Sequence, residues 1–218
     1  MKRYLFLGTR VARYHSCAGI DEQIGRLLKG EWEMTFSEDL SLFTPEGLRP
    51  FEMIISYLEF DRQRAITDAQ ADALVSFVEN GGVLMAIHSG IALQTHPKLE
   101  KLIGAKFIGH PYYEAMPVLP YRVVRRNPVT DGITGLPWVS PDEPYRFEMA
   151  EESDKEIFLV YDYEGKEWPA AWIRTVGKGK VIYFANGHCR CAFYTEFAGL
   201  ISNAARWVAG TNQSGEAS

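Results

Sequence analysis

The first 90 residues of this 218-residue chain predict an α/β architecture on a mainly parallel sheet, and three observations carry the expectation. Short apolar runs alternate with segments of helical periodicity. The stretch Gly81-Gly82-Val83-Leu84-Met85-Ala86-Ile87-His88-Ser89-Gly90 ends an apolar run on a polar residue, with Ala86 and Gly90 each two positions away. Strand-like pieces then dominate the second half with few helical patterns between them, so antiparallel strands are expected there.

Residues 3–8 are an apolar run closed by Gly8, which reads as a buried first strand. Ile20, Ile24, Leu27 and Leu28 recur at helical spacing, and Gly30 follows as a stop signal. Trp32, Met34 and Phe36 alternate with polar residues, as in a second strand. Thr44-Pro45 starts a short helix, with Thr as cap and Pro in the first turn. Residues 53–57 are a third strand. Thr67-x-x-Gln70 is a capping box for a helix whose apolar face is Ala73, Leu74, Phe77 and Val78. Gly81-Gly82 ends that helix and feeds the fourth strand. Later strands are expected near 118–124, 145–149, 156–163, 170–176 and 180–185, with Gly177-Lys178-Gly179 as a hairpin turn. Phe193, Phe197, Leu200, Ile201, Ala204, Ala205 and Val208 make one apolar stripe for a final helix. No linker, repeat or low-complexity block interrupts residues 1–210, so one domain is expected, followed by a disordered tail at 211–218.

Net charge is −5 and no basic run exceeds Arg125-Arg126, which excludes nucleic acid as the expected partner because phosphate binding needs clustered cations. No segment approaches the ~20 apolar residues of a membrane span. The amino-terminal apolar run is too short for a signal peptide. Cys17, Cys189 and Cys191 cannot all pair within the chain, which points to a reducing compartment, the cytoplasm. Cys189 and Cys191 beside His188 would bind metal or fill the core, and because their spacing is not that of a zinc knuckle they read as small buried cysteines; Cys17 precedes a helix whose amino terminus would favour a thiolate nucleophile, but it has no identifiable local base.

The small-x-polar-x-small pattern around His88 is what a sharp strand-to-helix elbow needs, and hydrolases built this way present Ser or Cys outward at its tip. Here the tip is His88. Ligands of parallel sheets bind at the carboxyl ends of the strands. His15, His88, His110 and His188 all fall at a strand end or loop start. Gathered on one rim they would be proton-transfer groups, sugar-hydroxyl partners or metal ligands; scattered, each would be bonded locally. His96, in Thr95-His96-Pro97, reads as a helix-start residue. Catalytic zinc needs three protein ligands, but no HExxH or paired CxxC marks them. Asp142-Glu143-Pro144-Tyr145 is a turn with two acids pointing different ways, to orient a histidine, contact a sugar hydroxyl, or sit in solvent. Tyr112, Tyr113, Trp138, Trp168 and Trp172 would stack on a sugar ring or fill a core.

Ile87-His88-Ser89 is followed in order by Ile108-Gly109-His110-Pro111, Asn127-Pro128-Val129-Thr130-Asp131-Gly132-Ile133 and Asp142-Glu143-Pro144-Tyr145. Pro169-Ala170-Ala171-Trp172, Gly177-Lys178-Gly179-Lys180-Val181 and Gly187-His188 complete the series. In that order and spacing the chain resembles the trehalose-utilisation, or ThuA-like, family. The resemblance implies a three-layer flavodoxin-like sandwich of the class I glutamine amidotransferase type. It also implies carbohydrate metabolism, acting on a disaccharide, glycoside or keto-sugar. The amidotransferase elbow carries Cys, so glutaminase chemistry is not expected here. Two positions depart from the family pattern: Ser16 follows His15 where an acid is common, and Asn127 stands where His often precedes Pro.

The expected site has His15, His88, His110 and His188 as catalytic groups and Ser89, Asp142, Glu143 and Tyr112 as substrate contacts. Three readings remain open at this point. They are a sugar-processing hydrolase or isomerase, a non-catalytic sugar-binding or oligomerisation module, and a metal-dependent hydrolase with the same four histidines as ligands. A divalent metal such as zinc is the cofactor under consideration, and no nucleotide cofactor is expected. The expected partner is a small-molecule carbohydrate, with a homo-oligomer allowed and no membrane.

Overall fold

The structure, a computed structural model, describes residues 1–59, 65–134, 137–151 and 155–211. The first half runs β1 (Lys2–Gly8), α1 (Ile20–Leu27), β2 (Trp32–Ser37), α2 (Pro45–Leu48), β3 (Met53–Tyr57), α3 (Asp68–Glu79) and β4 (Val83–Ile87). A 3-10 segment (His88–Thr95) and α4 (Pro97–Ile103) follow. The second half supplies β5 (Ala105–Gly109), β6 (Val118–Val123), β7 (Trp138–Pro141), β8 (Arg146–Met149), β9 (Glu156–Tyr163), β10 (Lys166–Val176), β11 (Gly179–Phe184) and α5 (Glu196–Thr211).

Nine strands form one sheet in the order β2-β1-β3-β4-β11-β10-β9-β6-β7, and β5 pairs with β8 in a small second sheet. The strands from β2 to β11 in that order run parallel, and those beyond β11 pair antiparallel. Both faces of the parallel part are covered, which is why β3 and β4 are buried along their whole length and β1 from Tyr4 onward, without alternation. Successive side chains go to opposite faces. Phe6, Ile55, Met85 and Ile182 pack with α1 and α5. Leu5, Ile54, Leu84 and Val181 pack with α2, α3 and α4. Three layers result.

Local signals account for most element ends. Thr44 caps α2, and Thr67 with Gln70 closes a complete capping box on α3. The His96 imidazole caps α4, accepting from Lys98 N. Gly177-Lys178 is the two-residue turn between β10 and β11, with Val176 opposite Gly179.

Several expectations need correction. The elbow leads into a 3-10 segment rather than an α-helix, and His88 at its start takes a left-handed φ of 48°. β10 starts at Lys166, four residues before the expected strand. Glu164 and Gly165 both have positive φ and turn β9 back as a two-residue hairpin. Pro169 lies within β10 beside a register shift in the β9 ladder, where a missing N–H is tolerated. Phe193 belongs to a 3-10 turn (Arg190–Tyr194) that precedes the final helix. Cys189 and Cys191 are not small buried cysteines: they form a disulfide with Cα atoms 5.2 Å apart, and Cys191 is exposed. Cys17 is free and buried. Of the expected tail, Thr211 ends α5 and residues 212–218 lie outside the described residues. No described helix is long and apolar enough to cross a membrane.

Candidate functional site

The parallel strands deliver their carboxyl ends to one edge, and the site assembles there. β11 runs beside β4 with Phe184 opposite Ile87, so Ala185 lies next to His88. The His88 Nδ1–H donates to the Ala185 carbonyl at 2.7 Å, and the His88 carbonyl accepts from the Tyr183 hydroxyl at 3.1 Å. These bonds hold a non-glycine residue in the left-handed region, a conformation that costs on the order of 1–3 kcal/mol and concentrates at functional sites. The 3-10 segment then passes so close to β3 that a Cβ on Gly90 would lie 2.0 Å from the Ser56 carbonyl oxygen. Only glycine fits that crossing.

The elbow side chain is not presented to solvent as its sequence pattern implied. His88 is wholly buried, yet its surroundings are polar. Its Nε2 lies 3.2 Å from Glu143 Oε2 and 3.2 Å from His188 Nδ1. His15, on the loop after β1, places Nε2 3.1 Å from the same Glu143 oxygen. His188 Nδ1 stands 3.4 Å from it. Three imidazoles from three strand ends therefore surround one carboxylate oxygen. Tyr145 stacks on His88 at 4.3 Å between ring centroids and closes the cluster from the side of the second sheet.

Glu143 comes from the link between β7 and β8, where Asp142 and Glu143 point different ways. Neither is in solvent. Asp142 is fully buried and accepts from the backbone N–H groups of Gly187 (2.8 Å), His188 (3.2 Å) and Glu143 (3.1 Å). It fixes the loop that carries His188 and leaves Glu143 to face the histidines. Tyr57, at the end of β3, directs its hydroxyl at the Gly187 and His188 carbonyls and fixes the same loop from the other side.

Burial pushes the Asp142 carboxyl up to about 7, against the pull of its backbone donors. Burial also lowers His88 to about 4; the Glu143 contact only partly offsets it, and the neighbouring His15 and His188 lower it further. His88 is thus a neutral imidazole. At Glu143 burial acts upward, and the imidazole nitrogens facing it, those of His15, His188 and His88, act downward and hold the carboxyl below its ordinary value. At His188 burial acts downward and the Glu143 hydrogen bond overcomes it, so the ring titrates above its ordinary value.

His110, after β5, is the exposed histidine beside the cluster. Its Nδ1 lies 3.0 Å from the Pro111 carbonyl, which can only accept, so Nδ1 carries a hydrogen and Nε2 is the nitrogen left to face Glu143. That Nε2 is 3.7 Å from Glu143 Oε1. Ser89 is buried, with its hydroxyl directed at the Tyr57 carbonyl at 3.4 Å. Tyr112 is 86% exposed and contacts none of the cluster. Trp138 and Trp172 are core residues. His96 is an α4 cap paired with Asp68, apart from the site.

Three further residues contact the cluster. Tyr113 donates to Glu143 Oε1 at 2.5 Å; its neighbour Tyr112 had been the expected contact. Tyr145 had appeared only as the end of a turn. Glu59 stands two residues past β3, 3.9 Å from His15 Nδ1, and accepts from Arg13 N and Tyr14 N, so it anchors the whole His15 loop. It supplies the carboxylate that Ser16 does not. An open cleft of about 550 Å³ at the amino ends of the strands, lined by Leu48, Arg49, Phe51, Glu52 and Phe77, contains none of these groups.

No curated protein matches the chain by sequence. Among solved structures, a ThuA-like protein from Bacteroides uniformis superposes with a TM-score of 0.77 at 21% identity, covering 95% of this chain and 91% of that one. A ThuA-like protein from Parabacteroides merdae gives 0.76 at 16% identity, over 95% and 90%. A β-galactosidase from Bacillus circulans matches at 0.61 and 13% identity, over 92% of this chain but 31% of its own. At these identities the likenesses show the shared fold. The sequence itself carries the trehalose-utilisation pattern from residue 6 to residue 208, from β1 to α5, and so the chain belongs to the ThuA (trehalose utilisation) family.

Proposed function

We propose that this protein processes a small carbohydrate at the Glu143 cluster, taking a disaccharide, glycoside or keto-sugar as substrate. The observation that carries the reading is the meeting of His15, His88 and His188 on one Glu143 oxygen at the carboxyl edge of the sheet. Family membership supports carbohydrate as the substrate class. Sugars react through hydroxyl and carbonyl groups, and both need proton transfer at neutral pH.

The cluster offers graded access for that work. His88 is the sealed floor, neutral and fixed by Ala185. His188 is the most exposed of the three imidazoles, with 19% of its side chain accessible. His110, with 35% of its side chain accessible, is the general base in this reading, its Nε2 within reach of a hydroxyl or water lying over Glu143.

The test is turnover of a panel of glycosides and their keto-glycosides by the wild-type protein and by Glu143→Gln, His188→Ala and His110→Ala. Loss of a proton-transfer group removes roughly 10²–10⁴ of rate. Each variant is expected to fall by that order while keeping its far-ultraviolet circular dichroism. Equal turnover in wild type and Glu143→Gln would remove the cluster from the chemistry. Sugar binding without turnover, or a tight oligomer that binds no sugar, would replace this reading with that of a non-catalytic module.

A further inference from the structure

We propose that His15 Nε2, His88 Nε2, His188 Nδ1 and Glu143 Oε2 bind one divalent first-row transition ion, with zinc the best chemical match. The inference does not depend on a sugar being the substrate, because it concerns what the four groups do to one another.

The first argument is distance. The four donor atoms all lie within 4.8 Å of one another. Four of their separations are 3.1, 3.2, 3.2 and 3.4 Å. Ligands at ~2.0–2.1 Å from a tetrahedral zinc stand about 3.3 Å apart. Four of the six donor separations thus already match the spacing of a first coordination shell.

The second argument is the position of the protons. The outer nitrogen of His88 faces the Ala185 carbonyl, so it carries the hydrogen and leaves Nε2 with its lone pair. The outer nitrogen of His15 is buried without a hydrogen-bond partner, and the nearest carboxylate, Glu59, faces it at 3.9 Å. A lone pair there would point at an anion; a hydrogen there leaves Nε2 of His15 bare as well. Both bare nitrogens are aimed at Glu143 Oε2, which is itself a pure acceptor when ionised. The Tyr145 hydroxyl, 3.4 Å from His15 Nε2, can relieve one of them weakly. One proton on His188 Nδ1 can serve His88 or Glu143 but not both. Electron-rich atoms at this spacing repel unless a cation lies between them. Among the described residues no lysine or arginine pairs with Glu143 to supply that charge.

The outer contacts match those of metal-bound histidines, whose second ring nitrogen is held by a carbonyl or a carboxylate. Ala185 plays that part for His88, and Glu59 is the carboxylate placed nearest the outer nitrogen of His15, at 3.9 Å. Tyr113 holds the other Glu143 oxygen. Imidazole with a single carboxylate suits zinc and its neighbours rather than calcium or magnesium, which take oxygen sets. The ion would be reached from the side of His188, and it would polarise a hydroxyl, carbonyl or water oxygen placed there.

The experiment strips the intact protein with a chelator, titrates it with zinc by calorimetry and counts bound metal by elemental analysis. One ion per chain is expected. His15→Ala and Glu143→Gln should abolish saturable binding, and Glu59→Gln, a positioning change, should weaken it ~10–100-fold. His96→Ala, which alters a helix cap, should bind as the wild type does. Cobalt(II) loaded into the wild type should give the visible absorption of a four- or five-coordinate nitrogen/oxygen site, and this holds even where a variant fails to fold. Absence of stoichiometric zinc, an octahedral cobalt spectrum, or undiminished binding in folded Glu143→Gln would each overturn the proposal.

Discussion

Asp142 accepts from three backbone amides and exposes none of its surface, so it serves the site by holding the main chain. Both of its oxygens are used as acceptors. Asp142→Asn replaces one with an NH2 group and sets donor against donor, at the Gly187 N–H or at the pair from His188 and Glu143. The expected cost is ~1–3 kcal/mol, the penalty of an unsatisfied buried donor. Urea denaturation measures it, and an unchanged midpoint would show that the loop does not depend on this carboxylate. A second test concerns Cys17. Burial raises its thiol to about 12, with Asp21 adding to the effect and Arg10 opposing it. It should resist alkylation in the folded protein at mildly alkaline pH and react on unfolding; labelling of the native protein would contradict its placement. At this level the sequence revealed the histidines more readily than their partners. His15, His88 and His188 stand out because imidazoles at strand ends are chemically conspicuous. Glu59 and Tyr113 lie in ordinary-looking loops and matter only through contacts that the chain makes across the sheet edge.

The elbow depends on one close crossing. Gly90→Ala would drive a Cβ into the Ser56 carbonyl of β3, a backbone atom with little room to retreat. Overpacking of this kind costs ~1–3 kcal/mol, and a lowered Tm together with loss of the His88 geometry is expected. A Tm equal to that of the wild type would mean that the crossing is looser than described. The same stretch shows what local pattern can convey. Small residues around His88 announced a tight turn, and a tight turn exists. The direction of the side chain was not announced, because it is set by Ala185 on β11, almost a hundred residues further along the chain. The start of β10 at Lys166 was hidden for a related reason. A proline argues against a strand only where the ladder is regular, and the ladder with β9 shifts register beside it.

The two cores lie on opposite faces of the same strands, so neither can lose its packing without disturbing the other. Trp32 and Trp138 report one face and Trp172 the other. Tryptophan fluorescence and far-ultraviolet circular dichroism should follow one coincident unfolding transition. Two separated transitions would divide the chain into independent units and contradict the single-domain expectation. Topology also explains why the place of the site was readable before its composition. Parallel strands must send their carboxyl ends to a common edge, so His15, His88 and His188 had one rim on which to meet. Glu143 reaches that rim from the antiparallel half, and no rule of parallel sheets would have brought it there.

The gathering of these imidazoles is tested most directly by nitrogen-15 nuclear magnetic resonance of the five histidine rings during zinc addition. The expected result is a joint shift of His15 Nε2, His88 Nε2 and His188 Nδ1, saturating at one equivalent, with His96 unmoved. Shifts confined to His96 or His110, or three rings responding at different zinc concentrations, would show that they do not share a centre.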